Sequence, residues 1–279
     1  MTNDDLANDV SNERREAVRA QAKKVNARIR RRKIVRRSVI TILIVAVVAA
    51  AGWWVWHSVA PELEREVVVP QNISEGDGID AAALMPENER PDTVDDPIQV
   101  DVYIDYMSAD AAVIEEQLAP QMYEWLQEGV LTLSYHPVSL LSGESNGTQY
   151  STRAAGAVMC VVSEAPETFQ AFNTELLTNQ PEEASGGFTD EQLAAKAADA
   201  GAEGVEDCIT NRTYAPWVSE ATERALSGAL EGTDDVQLTD ALVVIDGQQY
   251  DGSLDDPGEF NQFLLTLQSE EYYGETDSE

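Results

Sequence analysis

The stretch IQVDVYIDYMSADAAVIEEQLAPQMYEWL, residues 98–126, decides the fold because it joins a strand directly to a helix. The apolar residues Val100, Val102 and Ile104 alternate with their neighbours, and this period of two predicts a strand over 98–105. Ser108 then stands as an N-cap in front of a helix predicted over about 109–128. Pro120 lies inside that helix and is expected to distort it. Because helix N-termini attract reactive and anionic groups, the turn at Ser108 is the first candidate site.

The sequence that follows continues as alternating strands and helices. A second strand is predicted over 130–141, and a block of helical segments over about 149–228. A hairpin turned at Asp246-Gly247 and a closing helix over 255–268 complete the pattern. This order predicts an α/β fold, with a central mixed β-sheet flanked by helices and an inserted helical subdomain.

The charge divides the chain into two parts. The net charge is −33, but 12 of the 18 basic residues lie within 14–37, beside five acidic residues in the first 60 positions, which gives +7. From residue 61 onward, 18 − 12 = 6 basic and 51 − 5 = 46 acidic residues remain, a net charge of −40. Such a surface argues against nucleic acid or an anionic bilayer as the ligand of the second part. It fits either a saline habitat or a need for solubility.

An uncharged stretch of 18 residues, 39–56, separates these two parts. It is long enough to cross a bilayer, with basic residues before it and tryptophans at its far end. The positive-inside rule then predicts a cytoplasmic basic segment (1–37), one transmembrane helix (38–60) and an extracytoplasmic remainder. A cleaved signal peptide ending at 58–60 is the alternative, but the basic and apolar regions are longer than signal peptides have. Beside such a helix, the basic run is better explained as a topology signal than as a nucleic-acid site.

The extracytoplasmic part is predicted to consist of three segments. Residues 61–97 are rich in Pro, Asp and Glu and are interpreted as an acidic linker, within which 67–79 could form a short extended piece that docks on the domain. Residues 98–268 form the folded domain, and 269–279 an acidic tail.

Several stretches of this domain resemble one family. They are VDVYIDYMSADA, LSYHPVSLL, VEDCI and the helical stretch YSTRAAGAVMCVVSEAPETFQAFNTELLTNQPEE. These stretches are similar to the membrane-anchored DsbA-like thioredoxin-fold proteins of high-GC Gram-positive bacteria, over residues 67–268. The resemblance implies a thioredoxin fold, and an activity in thiol–disulfide exchange if the redox site is intact.

The resemblance also locates that redox site, and its residues differ here. The family's Cys-x-x-Cys pair aligns with Ser108 and Ala111, and neither side chain can form a disulfide. The family's cis-proline aligns with Ala241, preceded by Asp240, where a trans bond is expected. The site is therefore predicted to be degenerate, with no catalytic residue. The groove that holds substrate polypeptide in active relatives would be formed here by the following residues: Tyr106, Met107, Ser108, Asp110, Asp240 and Ala241.

A nucleophilic role for Ser108 is the alternative interpretation. It would need a general base, and the two histidines are His57, beside the predicted membrane helix, and His136, in the second strand. No Gly-x-Ser-x-Gly motif is present. A helix cap therefore explains Ser108 better, with Asp110 favoured by the helix dipole.

The two cysteines, Cys160 and Cys208, match positions where the related proteins often carry a second pair. A structural disulfide between them is predicted, and a displaced redox pair is the alternative. No cofactor or metal site is predicted, since the acidic clusters near 234–240 and 251–256 lack calcium-loop spacing.

Three functions follow from these observations. The first is a non-catalytic domain, held at the membrane, that binds an extracytoplasmic peptide or protein in the groove, unless the groove is vestigial. The second is a thiol–disulfide oxidoreductase that assists extracytoplasmic folding. The third is a subunit of a membrane assembly that makes its contact through residues 1–37.

Overall fold

The computed structural model describes residues 67–92, 94–182 and 184–274. The predicted segments 1–37 and 38–60 and the last five residues of the predicted tail lie outside these ranges. Within them, no helix is both long enough and apolar enough to cross a membrane.

Five strands form one mixed sheet in the order β1-β3-β2-β4-β5. They are β1 (Ile79–Asp80), β2 (Ile98–Ile104), β3 (Leu131–Pro137), β4 (Leu242–Ile245) and β5 (Gln248–Gln249). β2 and β3 are parallel, whereas β1 runs antiparallel to β3 and β4 runs antiparallel to both β2 and β5. This arrangement is the predicted thioredoxin fold.

Eight α-helices lie in the described residues, and five of them fall within the helical block predicted over about 149–228. They are α1 (Ala109–Val113), α2 (Ala119–Gln127), α3 (Tyr150–Glu164), α4 (Phe169–Thr178), α5 (Asp190–Asp199), α6 (Glu206–Thr210), α7 (Ala215–Leu226) and α8 (Pro257–Gly274). A π turn, Ile114–Leu118, joins α1 to α2 directly before Pro120, which provides the expected distortion. Proline lacks the N–H that a regular helix would need there, and the wider turn accommodates this loss.

The β4–β5 hairpin shows how local chemistry sets the register of the sheet. Asp246 and Gly247 both have positive φ, 47° and 77°, as a two-residue type I′ turn requires. The Asp246 side chain accepts a hydrogen bond from the Gln99 backbone N–H at 2.8 Å, and its own N–H donates to the Gln99 carbonyl at 2.9 Å. The turn is therefore attached to β2, the central strand.

Three predicted boundaries differ from the structure. Part of the predicted linker belongs to the domain, because Ile79 pairs with Tyr135 and buries its side chain together with Ala81 and Leu84. The second strand ends at Pro137 rather than at residue 141, since Leu141 donates its N–H to the Asp105 side chain instead. The closing helix extends through Gly274, six residues into the predicted tail.

Both faces of the sheet are covered. Val100, Val102 and Ile104 of β2 pack into the larger hydrophobic cluster with α1–α4. Tyr103 points to the other face, because side chains alternate along a strand. There it belongs to a smaller cluster with the following residues: Val138, Leu230, Val236, Leu238, Leu242 and Val244.

Candidate functional site

A cleft of about 230 Å³ opens at the N-terminus of α1. Its wall on the helix side consists of Met107, Ser108, Ala109 and Asp110, and Asp240 lies opposite. The remaining lining residues come from two loops: Leu141, Glu144 and Ala184. The structure thus brings together the two segments that the resemblance placed in one groove, and four of the six predicted groove residues line it.

Ser108 connects these two segments. Its hydroxyl donates to Oδ1 of Asp240 at 2.8 Å and accepts from the Ala111 backbone N–H at 3.3 Å. The second bond makes Ser108 the N-cap of α1, as predicted. Because the hydroxyl is both donor and acceptor within the protein and its residue is buried, Ser108 acts here as a structural link.

Asp240 occupies the position just before the aligned cis-proline. Its Oδ1 accepts from Ser108 and also from the Ala241 backbone N–H, at 2.7 Å. The described residues contain no cis peptide bond, so the Asp240–Ala241 bond is trans, as expected. A carboxylate therefore lies beside the helix N-terminus, where the positive end of the dipole favours it.

Tyr106 and Ala241 do not line the cleft, although both were predicted as groove residues. Tyr106 is fully buried, and its hydroxyl donates to Oδ1 of Asn173 at 2.7 Å. Ala241 is buried in the core cluster. Both side chains are therefore buried in the protein interior rather than exposed at the cleft.

Asp105 fixes the turn that carries the site. This buried carboxylate accepts from the backbone N–H groups of Met107 and Leu141, each at 2.8 Å. Burial raises the pKa of Asp105, and these hydrogen bonds act in the opposite direction. The bond to Leu141 also holds the loop after β3 against the turn, which places Leu141 and Glu144 at the cleft.

Sequence reasoning missed the contribution of the loop between α4 and α5. Gln180 donates from Nε2 to the Ser108 carbonyl at 2.9 Å, and Ala184 lines the cleft. Nothing in the local pattern marks these residues, because they reach Ser108 from more than 70 positions along the chain. A three-dimensional fold is needed to find them.

Two further kinds of chemistry concern Ser108 and its surroundings: activation of its hydroxyl by a general base, and binding of a metal ion. Within the described residues, Ser108 has no imidazole within hydrogen-bond distance, since His136 bonds to Asp101 at 2.8 Å and stacks on Tyr103. No group of three His, Cys, Asp or Glu side chains in this part of the chain is arranged to hold a metal ion.

The two cysteines lie elsewhere. Cys160 and Cys208 form the predicted disulfide, which joins α3 to α6. Cys160 is completely buried and Cys208 nearly so. Because thiol–disulfide exchange needs an accessible sulfur, this environment is that of a structural bond.

Comparisons with known proteins agree with the fold. A sequence model of the thioredoxin family matches residues 95–263. The structure is similar to the disulfide bond oxidoreductase DsbG from Mycobacterium tuberculosis, with a TM-score of 0.56 and 25% identity over 68% of this chain and 87% of that one. It is also similar to DsbA from the same organism (TM-score 0.55, 24% identity, 68% and 91% covered).

A third similar structure is the thiol-disulfide oxidoreductase MdbA from Actinomyces oris, with a TM-score of 0.54 and 19% identity over 72% of this chain and 93% of that one. A comparison with curated protein sequences finds no match. The family match covers more than half of the chain. The chain therefore belongs to the thioredoxin family, in its DsbA-like form.

Proposed function

We propose that this protein is a membrane-anchored, extracytoplasmic member of the DsbA-like group that binds a peptide or partner protein in the Ser108 cleft without thiol–disulfide exchange. The anchor is the predicted transmembrane helix 38–60, with residues 1–37 in the cytoplasm. The alternative within the same family is a thiol–disulfide oxidoreductase that assists extracytoplasmic folding.

One observation carries the non-catalytic interpretation. The family's Cys-x-x-Cys pair aligns with Ser108 and Ala111. In this chain the Ser108 hydroxyl forms a hydrogen bond to Asp240, and the side chain of Ala111 is only a methyl group. The chain has two cysteines in all, and both are used in the buried Cys160–Cys208 bond. A thiolate nucleophile is therefore absent from the cleft, and no redox exchange can begin there without one.

The cleft itself supports a binding role. It keeps the position between the helix N-terminus and the segment before β4, and its rim carries three acidic residues, Asp110, Glu144 and Asp240. Such a site favours an extended polypeptide without acidic side chains at the contact, because like charges in close contact are repulsive.

The catalytic alternative is tested by comparing the chain with its Ser108→Cys/Ala111→Cys variant. Unmodified protein should show no reactive thiol under native conditions and no reduction of insulin in the presence of a mild reductant. The variant should show two reactive thiols, which confirms that the assay detects a dithiol at this turn. Insulin reduction by the unmodified protein, abolished by replacing Cys160 and Cys208 with alanine, would establish the oxidoreductase instead.

The binding role is tested by photo-crosslinking in intact cells. A photoreactive amino acid replaces Glu144, which is exposed at the cleft, and in a control it replaces Leu265, exposed on α8. Ala109→Trp, which adds bulk at an exposed position of the cleft, should abolish the crosslinks from position 144. The matched change Leu265→Trp should leave them intact. Crosslinks that persist in Ala109→Trp would show that the cleft is a vestige of the family's groove.

A further inference from the structure

A second and larger cavity lies on the other face of the sheet. It has a volume of about 410 Å³, within the range of small-molecule sites. Tyr103 of β2 and His136 of β3 line it together with residues of α7 and of the segment before β1. We refer to it as the Tyr103 cavity, and its polar lining residues are Asp77, Tyr103, His136, Arg224 and Glu231.

The Tyr103 and His136 rings form a rigid pair at this cavity. They stack with centroids 4.3 Å apart and an angle of 14° between the planes. His136 Nε2 lies 2.8 Å from Oδ1 of Asp101, and because a carboxylate only accepts, Nε2 carries the proton in this pair. Nδ1 is buried and has no hydrogen-bond partner in the described part of the chain.

The Tyr103 hydroxyl is the second unused polar group. Tyr103 is 5% exposed as a residue, but its hydroxyl oxygen is not fully buried, and this oxygen makes no hydrogen bond to any residue within 67–92, 94–182 and 184–274. Burial raises the pKa of this hydroxyl, and the carboxylates of Asp101, Glu231 and Asp77 raise it further. The hydroxyl therefore stays neutral in a region of negative potential, where it can accept a hydrogen bond from a cationic donor.

The charges around the cavity are not balanced. Arg224 forms an ion pair with Asp77, to which it donates two hydrogen bonds of 2.7 and 2.9 Å. Glu231 forms no ion pair with any Lys or Arg of the described ranges. Its carboxylate lies over Gly76, where an added Cβ would be 2.6 Å from Oε2. The Glu231 carboxylate thus has no cationic partner in the described ranges, and it lies beside apolar wall residues that include Val138, Ala221 and Leu230.

We propose that the Tyr103 cavity binds a small organic cation, namely an ammonium or guanidinium group on a short apolar stem. Its N–H groups would donate to the Tyr103 hydroxyl and to the Glu231 carboxylate, and its stem would contact the apolar wall. A divalent metal ion fits less well, since the described residues offer no group of three suitable ligands. The same cationic chemistry is found in free amines and in the lysine or arginine side chains of a polypeptide.

The experiment is calorimetric titration of the full chain with pentylamine and with pentanol, its neutral isostere. Pentylamine should bind with a Kd of about 1 mM or tighter, and pentanol at least about tenfold more weakly. Agmatine and Nα-acetylarginine amide form the second pair. Binding of both would indicate that the cavity admits a side chain of a polypeptide, and binding of agmatine alone would indicate a free amine.

Variants connect that binding to the cavity. Tyr103→Phe keeps the ring stack but removes the hydroxyl, and should weaken pentylamine binding about threefold to tenfold. Glu231→Gln should weaken it by a similar factor. Glu223→Gln, which removes an exposed negative charge from the neighbouring helix α7, should leave the Kd unchanged. Equal affinities for pentylamine and pentanol, no amine binding at all, or equal effects of the Glu231 and Glu223 changes would each overturn the proposal.

Discussion

Ser108 joins two parts of the thioredoxin fold that are 132 positions apart in sequence, through its bond to Asp240. Replacing it with alanine removes both this bond and the helix cap, so Ser108→Ala should lower the free energy of unfolding by about 1–2 kcal/mol. Urea denaturation measures the change. Ser219→Ala, which removes an exposed hydroxyl from α7, is the control and should stay within about 0.5 kcal/mol of the unmodified protein. Equal effects of the two changes would contradict a linking role for Ser108.

Glu115 is a buried carboxylate, although glutamate side chains are normally exposed. It lies in the π turn and accepts hydrogen bonds from Asn173 and Thr174. Burial raises its pKa above the ordinary 4.5, while the hydrogen bond from Thr174 lowers it. Its neighbour Glu116 is exposed, although the two residues belong to the same turn.

The raised pKa of Glu115 predicts a pH dependence. Above about pH 4.5 the unfolded chain releases this proton while the folded protein retains it, so the folded state binds more protons and its stability falls as pH rises. This fall ends once the pH exceeds the folded pKa. Glu115→Gln should therefore flatten the curve of unfolding free energy against pH, by at most about 1.4 kcal/mol per pH unit. Glu116→Gln should keep the original slope, and a flattened slope in both variants would refute the assignment to Glu115.

Local rules predicted some of these residues and could not predict others. The cap at Ser108 and the trans bond before Ala241 follow from residue type alone, because capping and peptide geometry are local. The partner of Ser108 and the burial of Glu115 depend on contacts between distant segments. Position 115 lies four residues after Ala111 and three before Leu118, on the buried helix face, but a glutamate is normally exposed, so its burial depends on the partners Asn173 and Thr174.

At the scale of elements, Arg153 of helix α3 holds the loop between α4 and α5 in place through hydrogen bonds. Its buried guanidinium donates to the carbonyls of Thr148 and Phe188 and to the Asp190 carboxylate, at 2.7–2.9 Å. Arg212 donates to the other oxygen of Asp190, at 2.8 Å, from a more exposed position. The loop held in this way supplies Ala184 to the Ser108 cleft.

Arg153→Met, which keeps the length of the stem, should lower the free energy of unfolding by about 3 kcal/mol, because several partly buried carbonyls and the Asp190 carboxylate lose a buried donor. Arg212→Met should cost about 1 kcal/mol or less, because its side chain is 37% exposed and solvent screens the ion pair. Each variant leaves Asp190 with one arginine, so the difference between them reports the burial and the additional carbonyl hydrogen bonds of Arg153. Hydrogen exchange over residues 180–189 should increase only in Arg153→Met. Unchanged exchange there would mean that other contacts hold the loop.

The elements themselves were largely predictable, whereas their ends were not. The strand–turn–helix at 98–126, the helical insertion and the hairpin at Asp246 all carry strong periodic or turn signals. β1 was assigned to a linker because two residues cannot display a period, and it becomes a strand only by pairing with β3. The strand after residue 130 was predicted too long for a similar reason, since the Asp105–Leu141 bond that redirects the chain is a tertiary contact.

At the scale of the whole molecule, negative charge is the dominant feature. The structure describes five Lys and Arg side chains, and four of them form ion pairs: Arg153, Lys196, Arg212 and Arg224. The fifth, Arg90, donates to the carbonyls of Ala83 and Met85. The 46 acidic residues from position 61 onward therefore greatly outnumber the cations available to neutralise them. Their mutual repulsion opposes the compact state.

Salt should relieve this repulsion. The screening length falls from about 10 Å at 0.1 M to about 3 Å at 1 M, so the melting temperature should rise with sodium chloride. Each 1 kcal/mol gained should raise it by about 2–4 °C for a domain of this size. Screening predicts a rise that depends on ionic strength alone and is steepest at low salt, whereas exclusion of salt from the protein surface predicts a linear rise that is larger for sulfate. Calorimetry in sodium chloride and sodium sulfate at matched ionic strength separates the two. A linear, sulfate-enhanced rise would show that burial rather than charge repulsion limits the stability of this domain.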